Sequence, residues 1–328
     1  MPEKSKASFL GTRRTKKENL MPVAATQLKR QLQQVGISPK KGLGQHFLVD
    51  SEVLQDILST AQPNEQDIII EVGPGLGVLT KELAARAGWV IGIEVDKRLI
   101  SPLEQTLTSY TNVTILNTDI LQTDIPALLT HASLSNQRYT MVAALPYNIA
   151  SPVLRHFLEA SIQPASMVVM LQREVADTIA APPGKMSLLS VAVQLYGKAT
   201  VIRYVTPQSF YPPPKIDSAI LKIDVYDQPA VEVPDITRFF TIVRAGFSAP
   251  RKQLRNSLAQ GLHLATAEAA VLLEQAQIDP SRRAESLALS EWAELTNIII
   301  RQTGISVQQS ALSKTRRNRD LLDSEAER

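Results

Sequence analysis

Apolar positions along the chain switch repeatedly between two spacings, and the switches predict the elements. Ile68-Ile69-Ile70-Glu71-Val72 is a β-branched run that ends in Gly73-Pro74-Gly75-Leu76-Gly77, with glycine at every second position. From Val78 to Ala87 the apolar residues Val78, Leu79, Leu83, Ala84 and Ala87 recur at helical spacing. That order predicts strand, Gly-rich turn and helix. Further strands are predicted at Trp89–Ile93, Val113–Leu116, Thr140–Ala144, Met167–Leu171, Thr200–Val205 and Ala219–Val225. Helical spacing covers Lys97–Tyr110, a stretch capped by Ser151 that runs to Ala160 with Pro152 in its first turn, Arg173–Ala180 and Ser187–Tyr196. Upstream, residues 22–36 read as a short helix and 37–48 as a loop. Asp50 or Ser51 caps a helix that reaches Ala61.

Strands alternating with helices imply βαβ units and a parallel sheet. The last two strands have no helix between them, so one of them is predicted to run antiparallel. From Pro229 onward the pattern is helical only, at Ile236–Gly246, Pro250–Gly261, Thr266–Gln275 and Ser290–Thr303. The fold class is therefore α/β with a smaller all-α C-terminal domain. The predicted boundaries are a basic, flexible extension at 1–36, the α/β domain at 37–228, the helical domain at 229–304 and a flexible tail at 305–328.

Composition narrows the chemistry. The chain has 328 residues and no cysteine, which excludes disulfides, thiolate zinc sites and cysteine nucleophiles. His46, His131, His156 and His263 lack a metal-binding spacing, so no metal is expected. No apolar run is long enough to span a membrane, and no leader pattern opens the chain. A cytoplasmic monomer is expected. The net charge is +3, but residues 1–30 hold eight Lys or Arg against Glu3 and Glu18, and 314–319 read Lys-Thr-Arg-Arg-Asn-Arg. Such tails read as solvated segments or as extra phosphate contacts.

The candidate chemistry lies at strand ends, where open parallel sheets bind their ligands. Glycines in the turn after Val72 let the backbone bend sharply and a ligand approach. Glu94 closes the next strand, 21 residues after Gly73, and is placed to accept hydrogen bonds from both hydroxyls of a ribose. The spacing is GxGxG, and no GxxxxGK[ST] motif is present. It suits a nucleoside ligand without phosphates, such as S-adenosyl-L-methionine, better than a dinucleotide. Asp119 follows the third strand; it reads as an acceptor for an adenine amine or as a simple helix N-cap.

Leu145-Pro146-Tyr147-Asn148 is the reaction candidate. An exocyclic amine is a poor nucleophile because its lone pair is delocalised into the ring. Backbone carbonyls near Pro146, held by the fixed proline φ, can accept the amine hydrogens and align the lone pair. Tyr147 can stack on an extruded base. Phe210-Tyr211-Pro212-Pro213-Pro214-Lys215 reads as a stiff loop presenting Phe210 and Tyr211 outward as a second clamp, or as a linker with buried aromatics. Arg251, Lys252 and Arg255 read as one helix face that contacts phosphates, or as an ordinary solvated face.

Taken together these pieces resemble a known family, the small-subunit (16S) ribosomal RNA adenine dimethyltransferases. The resemblance rests on Lys41-Gly42-Leu43-Gly44-Gln45-His46-Phe47-Leu48, Glu71 to Gly77, Glu94, Asp119, Leu145 to Asn148, Phe210 to Ala219 and Phe247 to Leu258, in family order over about residues 37–303. It implies a Rossmann-like methyltransferase domain, S-adenosyl-L-methionine as cofactor and 16S rRNA of the small ribosomal subunit as partner. The implied reaction places two methyl groups on N6 of each of two adjacent adenosines near the rRNA 3′ end, in ribosome biogenesis. By matching position, His46 and Leu48 touch the cofactor, Gly73 and Gly75 line its turn, Glu94 holds the ribose and Asp119 meets the adenine. Leu145, Pro146 and Tyr147 handle the target base, with Phe210 beside it. One position departs: the family has Asn where this chain has Ala144, which also borders the cofactor. Alanine offers no polar side-chain atom, so slower catalysis is expected. The alternative is a non-catalytic or weakly catalytic assembly factor of the same fold. A large-subunit adenine methyltransferase of the erythromycin-resistance type and a nicotinamide dehydrogenase rank below these.

Overall fold

The computed structural model describes residues 23–131, 138–146 and 149–302. Nine strands occur among them: β1 Phe47–Leu48, β2 Ile68–Val72, β3 Trp89–Ile93, β4 Val113–Leu116, β5 Tyr139–Ala144, β6 Ser166–Gln172, β7 Gly197–Val205, β8 Phe210–Tyr211 and β9 Ser218–Val225. The helices are α1 Val23–Gln34, α2 Ser51–Ala61, α3 Val78–Ala84, α4 Lys97–Leu107, α5 Ile125–His131, α6 Ala150–Leu158, α7 Arg173–Ile179, α8 Leu188–Gln194, α9 Ile236–Gly246, α10 Leu254–Leu262, α11 Thr266–Gln275 and α12 at residues 289–302.

Seven strands form one sheet in the order β4-β3-β2-β5-β6-β9-β7. The pairs from β4 to β6 are parallel, and β9 runs antiparallel to both β6 and β7. The single reversed strand goes with the β7–β9 connection, which holds a 3₁₀ turn and β8 but no α-helix of the kind that usually carries a parallel crossover. Every residue of β2 is buried, as expected for a parallel strand covered on both faces. Ile68, Ile70 and Val72 enter one apolar cluster with Met141, Ala143 and Met167. Ile69 enters the other with Val90, Val142 and Val168.

The helical C-terminal part has no separate core. Phe239, Phe240, Leu258 and Trp292 belong to the same cluster as the sheet residues Met141 and Leu221. Amphipathic spacing reports that a helix face is buried but not what it is buried against. The expected flexible extension at 1–36 is likewise corrected over its last third. Helix α1 is docked, with Ala25, Leu28 and Leu32 buried. The tail at 305–328 and residues 1–22 lie outside the described residues.

Three local expectations change. The helix predicted from Ser151 begins at Ala150 after Ile149, and Ser151 is not its cap. The helix predicted at Pro250–Gly261 begins at Leu254, so 250–253 form a turn. The loop predicted at 37–48 ends in β1, which pairs with β8 as a second, two-stranded sheet. Strands of two residues carry no periodicity to detect.

Candidate active site

The Gly-rich turn joins β2 to α3 with φ of +75°, +61° and +83° at Gly73, Gly75 and Gly77. A Cβ at Gly77 would lie 2.8 Å from the Leu103 side chain, and the φ there is one that other residues rarely adopt, so a substitution is strained. A Cβ at Gly75 would meet the Phe47 ring at 3.2 Å. The turn is held from β3. The Glu94 carboxylate accepts from the Gly75 amide at 3.0 Å and from the Asp96 amide at 2.8 Å. Burial raises the Glu94 pKa, and these amides oppose the rise. Two of roughly four lone-pair sites on the carboxylate are thus used, which leaves acceptor capacity for hydroxyl donors.

The capping role read for Asp119 is present, and the residue also borders the cleft. Its Oδ1 accepts from the Leu121 amide at 3.0 Å, capping the 3₁₀ turn Ile120–Gln122. At the end of β5, Ala144 and Pro146 are half-buried and Leu145 is buried. The Leu145 amide donates to the Met170 carbonyl at 2.9 Å, and the Pro146 carbonyl accepts from the Ile149 amide at 3.1 Å. Neighbouring β6 thereby anchors the segment. Tyr147 lies outside the described residues.

β1 brings a sequence-distant segment to the same place. Leu48 pairs with Phe210 and Phe47 with Tyr211. The Val49 amide donates to the Ser209 carbonyl at 2.9 Å, and Ser209 Oγ donates to Asp50 Oδ2 at 2.8 Å. His46 Nδ1 donates to the Pro212 carbonyl at 2.6 Å; a carbonyl only accepts, so Nδ1 carries the proton. Phe210 does not point outward as expected. It is buried with Ile57, Met170 and Ile220, and forms a wall of the cleft.

One cleft of about 1290 Å³, solvent at its mouth included, is bordered by His46, Leu48, Gly73, Gly75, Glu94, Asp119, Ala144, Leu145, Pro146 and Phe210. The structure therefore gathers these ten candidates around one cleft at the carboxyl edge of the sheet; Tyr211, the other half of the expected second clamp, does not line it and packs instead with Leu28, Leu32 and Ile37. Arg251, Lys252 and Arg255 are not among its lining residues. Arg251 and Lys252 are exposed in the turn before α10, and Arg255 is half-buried in the first turn of that helix, so the three do not share a helix face.

Two features that line the cleft, at Val95 and Glu71, and one beside it, at Asp96, were not read from the sequence. Val95 is 52% exposed at the cleft, apolar surface that a planar ring can cover. Asp96 ties the 38–45 segment to β3: it accepts from Gln45 Nε2 at 2.9 Å, pairs with Lys40 at 3.6 Å and with Arg98 at 2.6 Å. The Arg98 hydrogen bonds hold its carboxyl well below the usual range. Glu71 is fully buried and lines the cleft; its Oε2 and the Thr80 hydroxyl have no hydrogen-bond partner among the described residues. Burial pushes its pKa up to about 8; nearby Thr80 opposes the rise and the Glu94 charge adds to it. Its place in the β-branched run was the available signal, since a carboxyl inside such a run is covered on both sides.

The family described as Ribosomal RNA adenine dimethylase matches residues 37–301. The chain belongs to that family. It is thus an rRNA adenine dimethyltransferase with a Rossmann-like methyltransferase domain. A protein named Ribosomal RNA small subunit methyltransferase A from Dehalococcoides mccartyi (strain BAV1) is 45% identical over 274 residues, 84% of this chain and 93% of its own. The protein of the same name from Enterococcus faecalis (strain V583) is 42% identical over 82% of this chain and 92% of its own. Among solved structures, the 23S rRNA methyltransferase ErmE superposes with a TM-score of 0.61 at 26% identity, covering 77% of this chain and 98% of its own. A dimethyladenosine transferase from Plasmodium falciparum, at 24% identity and a TM-score of 0.65 over 76% of this chain and 96% of its own, shows the shared fold. No helix among the described residues is long and apolar enough to cross a membrane, and no cluster of metal-binding side chains occurs among them.

Proposed function

We propose that the chain acts as a cytoplasmic monomer and dimethylates N6 of two adjacent adenosines near the 3′ end of 16S rRNA, using S-adenosyl-L-methionine. The observation that carries this reading is the single cleft shared by the Gly-rich turn, Glu94, Asp119 and Leu145-Pro146. The cofactor fits the residues present. The turn has no Cβ at Gly73, Gly75 and Gly77, Glu94 retains acceptor capacity, and an uncharged apolar flank is available at Val95 and Ile120. When bound, S-adenosyl-L-methionine supplies a methyl group made electrophilic by a sulfonium. Glu94 would accept from the ribose hydroxyls and Asp119 from the adenine amine, and His46 and Leu48 would touch the methionine and adenosine parts. The Leu145 and Pro146 carbonyls accept the hydrogens of the target amine and orient its lone pair, with Phe210 and Tyr147 against the base. No strong general base is required, because alignment supplies much of the rate. Arg251, Lys252 and Arg255 contact RNA phosphates.

The small-subunit relatives, at 42% and 45% identity, favour 16S over large-subunit rRNA. Ala144 favours a second reading, a weakly catalytic or non-catalytic assembly factor. Mass spectrometry of adenosines from unmethylated small-subunit particles, incubated with the protein and labelled methyl donor, separates them. Two dimethyladenosines support the first reading. Particle binding without methyl incorporation refutes it in favour of the second.

A further inference from the structure

Helix α1 precedes the family match, which begins at residue 37, yet it reaches the cleft. Its apolar face is Ala25, Leu28 and Leu32, at helical spacing, while Lys29, Arg30, Gln31, Gln33 and Gln34 are exposed. The helix ends at Gln34, and the chain turns at Gly36, φ +67°. The Ile37 amide donates back to the Leu32 carbonyl at 2.8 Å, and Ile37 packs against Leu32. The chain then returns through Lys40 and Gln45, both tied to Asp96.

The apolar contacts of α1 form a small cluster of their own. Leu28, Leu32, Ile37 and Leu99 pack with Phe47, Leu76 and Tyr211, apart from the two clusters that bury the sheet. Leu76 sits in the Gly-rich turn, and Phe47 lies against Gly75. Leu28 alone on α1 is both buried and a lining residue of the cleft. Leu32 lies one turn on, equally buried, without lining it.

We propose that α1 is a wall of the cofactor site and that Leu28 is a cofactor-affinity residue. The proposal rests on the cofactor reading above. Its physical basis is that the sheet side of the site stands on the two large apolar clusters, whereas the α1 side stands on a small one. An element held by a small cluster opens at lower cost than the sheet does. A ligand filling the cleft beside Leu28 removes that opening, so α1 governs how fast the ligand leaves more than how fast it enters.

The test uses the full chain and S-adenosylhomocysteine, with titration calorimetry and stopped-flow dissociation. Leu28→Ala opens the wall and Leu28→Phe fills the cleft; each should raise Kd about tenfold, mainly through faster release. Leu32→Ala takes a side chain of the same cluster that does not line the cleft, so it loosens α1 without removing a contact with the ligand, and it should raise Kd clearly less than Leu28→Ala does. Amide hydrogen exchange over residues 25–34 should slow when the ligand saturates. The proposal is overturned if Leu28→Phe leaves Kd within twofold, if Leu32→Ala matches Leu28→Ala, or if exchange in α1 ignores the ligand. A wild-type chain that binds neither S-adenosylhomocysteine nor S-adenosyl-L-methionine overturns the cofactor reading itself, and this inference with it.

Discussion

Replacing Glu71 by glutamine tests the electrostatics at the floor of the cleft. In the folded chain the carboxyl is raised from an ordinary 4.5 to about 8, with burial as the largest cause. The folded state therefore holds a proton that the unfolded state releases between those two values. Its contribution to stability is fully present below pH 4.5 and is lost as pH rises towards 8. The slope approaches about 1.4 kcal/mol per pH unit in that window. Between pH 5.5 and 8 the loss from this one group is about 3 kcal/mol. For a protein of this size that corresponds to a melting shift of about 5 °C. Glutamine keeps the shape and cannot ionise, so the variant should lack this part of the slope and gain on the wild type steadily towards pH 8. Melting curves and urea titrations of both proteins at pH 5.5, 7 and 8 measure it. Parallel pH dependence in the two proteins would refute the assignment of a buried, proton-holding carboxyl to Glu71.

Ala144→Asn should raise turnover roughly 5- to 150-fold, the equivalent of one hydrogen bond of about 1–3 kcal/mol aimed at the reacting amine. RNA affinity should not change, and single-turnover kinetics showing equal or slower methyl transfer would contradict the role given to that position. Glu94→Ala should weaken S-adenosylhomocysteine binding by about 10²- to 10⁴-fold, since two hydrogen bonds to a carboxylate are lost at about 1.5–3 kcal/mol each. The Gly75 and Asp96 amides also lose their acceptor, so a lower melting temperature accompanies it. Calorimetry returning wild-type affinity would make Glu94 a purely structural clamp.

Much of the sheet was readable from the chain alone because its parallel strands are continuous apolar runs covered on both faces, and such runs are local in sequence. Ile68–Val72 with its glycines, Trp89–Ile93 with Glu94, and the reversal of one of the last two strands follow from spacing and from the lack of a helix between those two. The placement of candidate residues at strand ends follows too, since parallel strands put those ends on one edge. What the chain could not show by itself depends on contacts between distant segments. The β1–β8 pair joins Leu48 to Phe210, and nothing in either dipeptide announces the other. That pairing turned an outward clamp into a buried wall. The same holds for α1, whose amphipathic stripe predicts a buried face but not that Leu28 reaches the cleft, and for the C-terminal helices, whose core proved continuous with that of the sheet. Periodicity records that a side chain leaves water; only the folded chain decides which neighbours replace the water, and at Glu71 that choice sets the charge as well.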